Sequence, residues 1–166
     1  MSTIAFADLA GFTGPRGRDE RAAHRAAELL IIAARAVCGG RDLRVVKSMG
    51  DAVMIEGPDA YGMAEALFEL HAAFPALSRV NGIEPLFVRS GAHVGEVMHS
   101  PGGDVFGHAV NLASRLQEEA PLGHVACSLE FARAAGLPPE RLRAMGARAL
   151  KGVAEPVACF AIRPVR

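Results

Sequence analysis

Residues 102–115 read GGDVFGHAVNLASR. Two glycines and an acid lead into a run with helical spacing. At about 100° per residue, Ala109, Leu112 and Leu116 fall on one side and Asn111 and Arg115, with His108, on another. The apolar side suits a core, which leaves an amide and a guanidinium together on a separate face. A guanidinium is a planar, permanently charged fork that fits phosphate. A carboxamide can donate to and accept from a sugar. A plain solvated face would look the same, so the meaning of the stretch depends on what the rest of the chain sets beside it.

Upstream, residues 2–8 (STIAFAD) read as a strand and residues 11–18 as a loop rich in glycine and proline. Asp19 then caps a long helix that runs to about Val37 and is stopped by Gly39 and Gly40. Two β-rich runs, 43–47 and 52–55, flank Ser48-Met49-Gly50-Asp51 as a hairpin. A second helix spans about 59–79. Residues 86–94 form a strand with Val88, Ser90, Ala92 and Val94 on one face, and 96–98 extend the sheet beyond Gly95. A loop at 99–103 precedes the third helix, about 106–119. A strand near 124–128, a short helix at 129–135 and late strands around 148–150 and 157–162 complete the chain. Short strands mixed with helices and hairpins predict an α+β fold with a largely antiparallel sheet.

The length of 166 residues fits one domain, 1–166, and there is no repeat, low-complexity tract or linker. Hydrophobic residues make up 51% and charged residues 22%, which excludes a disordered chain. The longest apolar run, Leu29 to Ala34, is far short of the roughly 20 residues that a membrane span needs. Lys plus Arg balance Asp plus Glu at 18 each, so no positive field exists to hold a nucleic acid. The first residues lack the basic start and apolar core of an export signal, which implies a cytoplasmic protein. Cys38, Cys127 and Cys159 are odd in number and far apart, and read as buried free thiols.

Asp8 closes the first strand beside a glycine-containing turn, where a carboxylate and free backbone N–H groups suit a Mg²⁺ that also touches phosphate. Asp51 is a second acid, at the hairpin tip. If the hairpin pairs beside the first strand, the two acids meet and would repel unless cations lie between them. Each is also an ordinary turn residue when taken alone. Lys151 sits in a tight turn, Leu150-Lys151-Gly152-Val153, and reads equally as a surface lysine. His93, inside a strand, reads as a half-buried, hydrogen-bonded structural histidine.

Taken together and in order, FADLAGFT, VVKSMGDAVM, HVGEV, GDVFGHAVNLASR and LKGVAEPV resemble the catalytic domain of the class III nucleotide cyclases, the adenylate and guanylate cyclase family. The likeness runs from Ile4 to Ile162. It implies a ferredoxin-like βαββαβ core with a mostly antiparallel sheet flanked by helices. Spacing also settles the likeness of residues 102–104 to GGDEF, the signature of enzymes that join two GTP molecules into a cyclic dinucleotide. Those enzymes carry it on the hairpin after the first strand and helix. Here Gly50-Asp51 occupies that hairpin, and Gly103-Asp104 comes one helix and one strand later.

The resemblance implies roles residue by residue. Asp8 and Asp51, with the Leu9 carbonyl, match the ligands of two Mg²⁺ or Mn²⁺ ions per site. Asn111 matches the residue that orients the ribose, and Arg115 the one that stabilises charge on the α-phosphate. Lys151 matches a lysine on the terminal phosphates, supported by the backbone of Ala10 to Thr13, with Phe12 and Thr13 in the substrate-binding set. Lys47 and Asp104 match the pair that selects adenine. An ammonium and a carboxylate satisfy the N1 acceptor and the 6-amino donor of adenine but oppose the N–H and C=O of guanine. ATP is thus the expected substrate, with 3′,5′-cyclic AMP and pyrophosphate as products. In this family two subunits form the site head to tail, so a homodimer with two equal sites is expected.

The chain departs from the family in a few places. It starts at the first catalytic strand, so regulation is expected from a separate partner, an ion or expression. Residues 97–103 are fewer than in many members, where an extra stretch helps subunits grip each other. Phe106 replaces a common Trp, and His108 a common acid or small polar residue. The alternatives are a cyclase-fold module that binds nucleotide or dimerises with little turnover and, less favoured, a diguanylate cyclase.

Overall fold

The computed structural model describes residues 1–10 and 20–164. Strand β1 (Ser2–Ala10) is an inner strand of the main sheet, and residues 3–7 along it are all buried. Covering on both faces removes the polar alternation that a half-exposed strand would show. Helix α1 (Glu20–Cys38) buries Ala26, Leu29, Leu30, Ala33, Ala34 and Val37, one stripe at helical spacing. Strands β2 (Arg44–Met49) and β3 (Ala52–Gly57) form a hairpin. Gly50 turns it at φ +65°, where a side chain would be strained. Helix α2 (Ala60–Val80) starts at Asp59, whose carboxylate accepts from the N–H groups of Tyr61 and Gly62 at 3.0 and 2.8 Å. Strand β4 (Phe87–Gly95) returns antiparallel to β1.

These six elements give the strand order β2-β3-β1-β4, all antiparallel, which is the expected βαββαβ core. Helices α1 and α2 close one face through Leu30, Leu67, Leu70 and Phe74 against Ala5, Ala7 and Ile55. The opposite face is covered by α3 (His108–Glu119), where Ala113 packs with Ile4, Phe6 and Met54. Leu112 and Leu116 of the same helix pack with Ala126 and Cys159. Strand β7 (Val125–Ser128) lies parallel to β4, helix α4 (Leu129–Ala134) follows, and β9 (Val157–Ile162) and β8 (Arg143–Arg148) extend the sheet to seven strands. The architecture is therefore the predicted α+β one.

Three boundaries differ from the sequence reading. Residues 96–98 do not continue the main sheet. Gly95 pairs with Ser2, the first residue of β1, so no neighbour remains beyond it. Instead β5 (Met98–His99) pairs with β6 (Val105–Phe106) in a separate ribbon. The third helix consequently starts at His108, entered from Gly107 at φ +135°. The late strand lies at 143–148 and not around 148–150. It is an exposed edge with a register shift between Ala144 and Gly146, so it carries no apolar alternation to read. Leu150 is apolar because it fills the core next to Ala126.

All three cysteines are buried, and burial pushes the Cys38 thiol up to about 11 and Cys127 to about 12, so neither is a ready thiolate. His93 is more deeply buried than expected, with Nδ1 hydrogen-bonded to Ser128 Oγ at 2.8 Å, a structural role. Among the described residues, no helix is long and apolar enough to cross a membrane.

Candidate active site

Register brings the two acids together. Asp8 pairs with Ala52, the neighbour of Asp51, and the Leu9 N–H donates to the Asp51 carbonyl at 3.2 Å. The Asp8 carboxylate is one-eighth exposed, with a side-chain accessibility of 13%. Its Oδ2 accepts from Arg89 Nε at 3.2 Å, Arg89 Nη2 at 2.8 Å and Gln117 Nε2 at 3.0 Å. Arg89 comes from β4, directly across from Asp8 in the ladder, and Gln117 from α3. Asp51 is exposed at the hairpin tip.

Among the described residues no group of three or more His, Cys, Asp or Glu is gathered for a metal. Two carboxylates at adjoining strand ends are hard oxygen donors, which fit Mg²⁺ or Mn²⁺ completed by phosphate and water rather than an all-protein cage. The guanidinium on Asp8 shows that the place already demands positive charge. The residues present thus fit the expected ions.

A second cluster forms on β2 and the β5–β6 ribbon. Lys47 Nζ donates to both oxygens of Asp104, at 2.7 and 2.8 Å, and lies 5.6 Å from the Phe106 ring centroid. The Lys47 hydrogen bond, helped by the Val105 N–H, holds the Asp104 carboxyl below the usual range. A tight turn fixes Asp104. Its N–H donates to Ser100 Oγ at 3.0 Å, its carbonyl accepts from the Ser100 N–H at 2.9 Å, and Gly103 sits at φ +81°. Thus the two glycines of 102–103 serve the turn.

The ribbon is tied back to the sheet by Glu56, which is 5% exposed. Burial pushes its carboxyl up, but hydrogen bonds from His99, Arg44 and Ser2 outweigh this and hold it low. His99 Nε2 lies 2.6 Å and Arg44 Nη2 2.6 Å from Glu56, and Arg44 Nη1 donates to the Gly103 carbonyl at 3.1 Å.

Helix α3 carries Asn111 and Arg115 away from its buried side, which holds Ala109, Leu112, Ala113, Leu116 and Gln117. Arg115 Nη1 bonds Glu118 on its own helix at 2.5 Å. Among the described residues no hydrogen bond joins Arg115 to Asp8 or Asp51. Lys151 is exposed in a turn closed by the Val153 N–H on the Leu150 carbonyl. Phe12 and Thr13 lie outside the described residues.

Within one chain, therefore, Asp8 adjoins Asp51 and Lys47 binds Asp104, while Asn111, Arg115 and Lys151 stand apart. Sequence reading missed Arg89, Gln117, Arg44 and Glu56. Arg89 was legible in principle, since aligning β1 with β4 puts it opposite Asp8. Gln117 was legible as a polar residue two positions from Arg115, on the buried side of the helix.

A βαββαβ core with a mostly antiparallel sheet flanked by helices is the fold of the class III nucleotide cyclases. More particularly, the chain belongs to the adenylate and guanylate cyclase catalytic domain family, whose model matches residues 1–163. It is 33% identical over 172 aligned residues to the pH-sensitive adenylate cyclase of Mycobacterium tuberculosis, covering 97% of this chain and 40% of that one. The chain thus spans well under half of that relative. Its fold superposes on the adenylyl cyclase CyaB from P. aeruginosa with a TM-score of 0.82 at 22% identity, over 99% of this chain and 94% of that one. It superposes equally on the guanylyl cyclase Cya2, with a TM-score of 0.81 at 23% identity over 99% and 92%. The shared fold therefore leaves the choice of base to side chains.

Proposed function

We propose that the chain is an adenylate cyclase that converts ATP to 3′,5′-cyclic AMP and pyrophosphate. The observation that carries this reading is the Lys47–Asp104 pair, aligned before any base is present. An ammonium donor beside a carboxylate acceptor complements N1 and the 6-amino group of adenine. Guanine would set donor against donor and acceptor against acceptor, at a cost of about 1–3 kcal/mol for each opposed group.

Asp8, Asp51 and the Leu9 carbonyl would hold two Mg²⁺ or Mn²⁺ ions, which supply acidification of the ribose 3′-hydroxyl and neutralisation of the triphosphate. Asn111 orients the ribose. Arg115 leaves Glu118 to meet charge developing on the α-phosphate, the kind of preorganised electrostatic help that contributes most in such transfers. Arg89, no longer needed to neutralise Asp8 once cations are present, has its charge available for phosphate. Lys151 takes the terminal phosphates, with Phe12 and Thr13 in the same substrate-binding set. Two copies arranged head to tail belong to this reading, as the family resemblance implies, and each gives one half of each site.

Incubation of the purified protein with ATP or GTP and Mn²⁺ tests it. Cyclic AMP from ATP, little product from GTP, and a loss of at least about 100-fold in Asp51→Ala are expected. Asp51 is exposed, so that variant should unfold within about 0.5 kcal/mol of the parent. ATP binding by a dimer with no product would leave a binding module instead, and a cyclic dinucleotide from GTP would revive the diguanylate reading.

A further inference from the structure

Glutamine is seldom buried, yet Gln117 is 7% exposed and spends its amide on a carboxylate of another element. The contact depends on an unusually close helix–sheet approach. A Cβ on Gly91 of β4 would lie 2.1 Å from the Gln117 backbone nitrogen and 2.3 Å from the Ala113 carbonyl oxygen. Only glycine lets α3 lie this near β4, and that proximity lets a side chain on α3 reach past it to Asp8 on β1. At about 100° per residue, Gln117 points roughly 160° from Arg115 and 120° from Asn111.

Two different donors converge on Asp8 Oδ2. Arg89 brings charge, and a cation arriving at Asp8 would repel it. Gln117 brings a neutral N–H, which can stay in place beside a cation and keep the carboxylate oriented.

We propose that Gln117 is a positioning residue that fixes the Asp8 carboxylate for divalent cations. Through it, one rigid helix serves two sites, holding Asp8 of its own chain on one side while presenting Asn111 and Arg115 to a second copy on the other. This inference rests on the reading of Asp8 as a metal ligand given above.

The test is Mn²⁺ binding to the full chain without nucleotide, followed by electron paramagnetic resonance, in Gln117→Met and Gln117→Asn. The first keeps the length and loses the donor; the second keeps an amide that is too short to reach. Both should bind Mn²⁺ about 10-fold more weakly, the scale seen when the partner of a metal ligand is removed. The Mn²⁺ concentration for half-maximal turnover should rise in parallel, with KM for ATP at saturating Mn²⁺ unchanged. Side-chain amide NMR of the unaltered chain serves if neither variant folds. The Gln117 amide signals should move on Mg²⁺ addition and lose that response in Asp8→Ala. A folded variant binding Mn²⁺ within twofold of the parent, a change confined to KM for ATP, or amide signals indifferent to Mg²⁺ while Asp8→Ala abolishes binding would overturn the role of Gln117 alone. Failure of the unaltered chain to bind Mn²⁺ at all would overturn the metal reading of Asp8 instead.

Discussion

At the scale of residues, several charges of the candidate site are already paired before any ligand arrives. Asp8 is bonded to Arg89 and Gln117, Lys47 to Asp104, and Arg115 to Glu118. The Lys47–Asp104 and Arg115–Glu118 pairs are partly exposed, so each adds little to stability. Their effect is to hold functional groups in defined rotamers with their charge balanced. The Asp104 carboxyl is held below its ordinary value by Lys47, so its ionised form is favoured by folding. For a group with a lowered folded-state pKa, the contribution is present above the unfolded value and is lost as pH falls through the folded one. Replacing Lys47 by Ala is therefore expected to move the Asp104 titration upward, toward the usual carboxylate range, which carbon-detected NMR would follow. Turnover with ATP should fall at the same time, whereas Mn²⁺ binding at Asp8 and Asp51 should not change.

At the scale of elements, two contacts position the site. The first is the seating of α3 on β4 at Gly91, where both nearest atoms to an added methyl are backbone and cannot swing aside. Gly91→Ala is expected to cost at least about 2 kcal/mol in urea denaturation, in the range of overpacked cores, and to lift α3 with its Asn111, Arg115 and Gln117. The second is the Glu56 clamp on the β5–β6 ribbon. Arg44 and His99 are about half exposed and can be resolvated, so Glu56→Gln is expected to cost only about 1–2 kcal/mol. Its larger effect should be on ATP affinity, because Arg44 also holds the Gly103 carbonyl next to Asp104. A rise in KM for ATP with unchanged Mn²⁺ binding would express that.

At the scale of the whole molecule, the proposed head-to-tail pairing makes each site a product of two chains. Two inactive variants should then complement each other. In an equal mixture of Asp51→Ala and Arg115→Ala, half of the dimers are mixed, and each mixed dimer keeps one intact site of two. About one quarter of the parent activity is expected from this symmetry, measured as cyclic AMP formed after mixing. Activity confined within single chains would give no recovery.

Much of this was legible before any fold was known. The sequence by itself determined the α+β class, the first strand, the β2–β3 hairpin with Gly50 at its turn, the amphipathic α3 and the family. Each follows from local chemistry or from ordered motifs that survive in a linear string. Helix periodicity and turn glycines act over a few residues. The tertiary structure alone decided what lies across a strand or beneath a helix. It set the ribbon of 98–99 with 105–106 apart from the main sheet, because β1 starts at Ser2 and leaves β4 no partner past Gly95. It placed β8 on an exposed edge where polarity carries no pattern. It also brought Arg89 and Gln117, 28 positions apart, onto one carboxylate. Such contacts depend on register and on the closeness of packing, and neither is written in the spacing of residues along the chain.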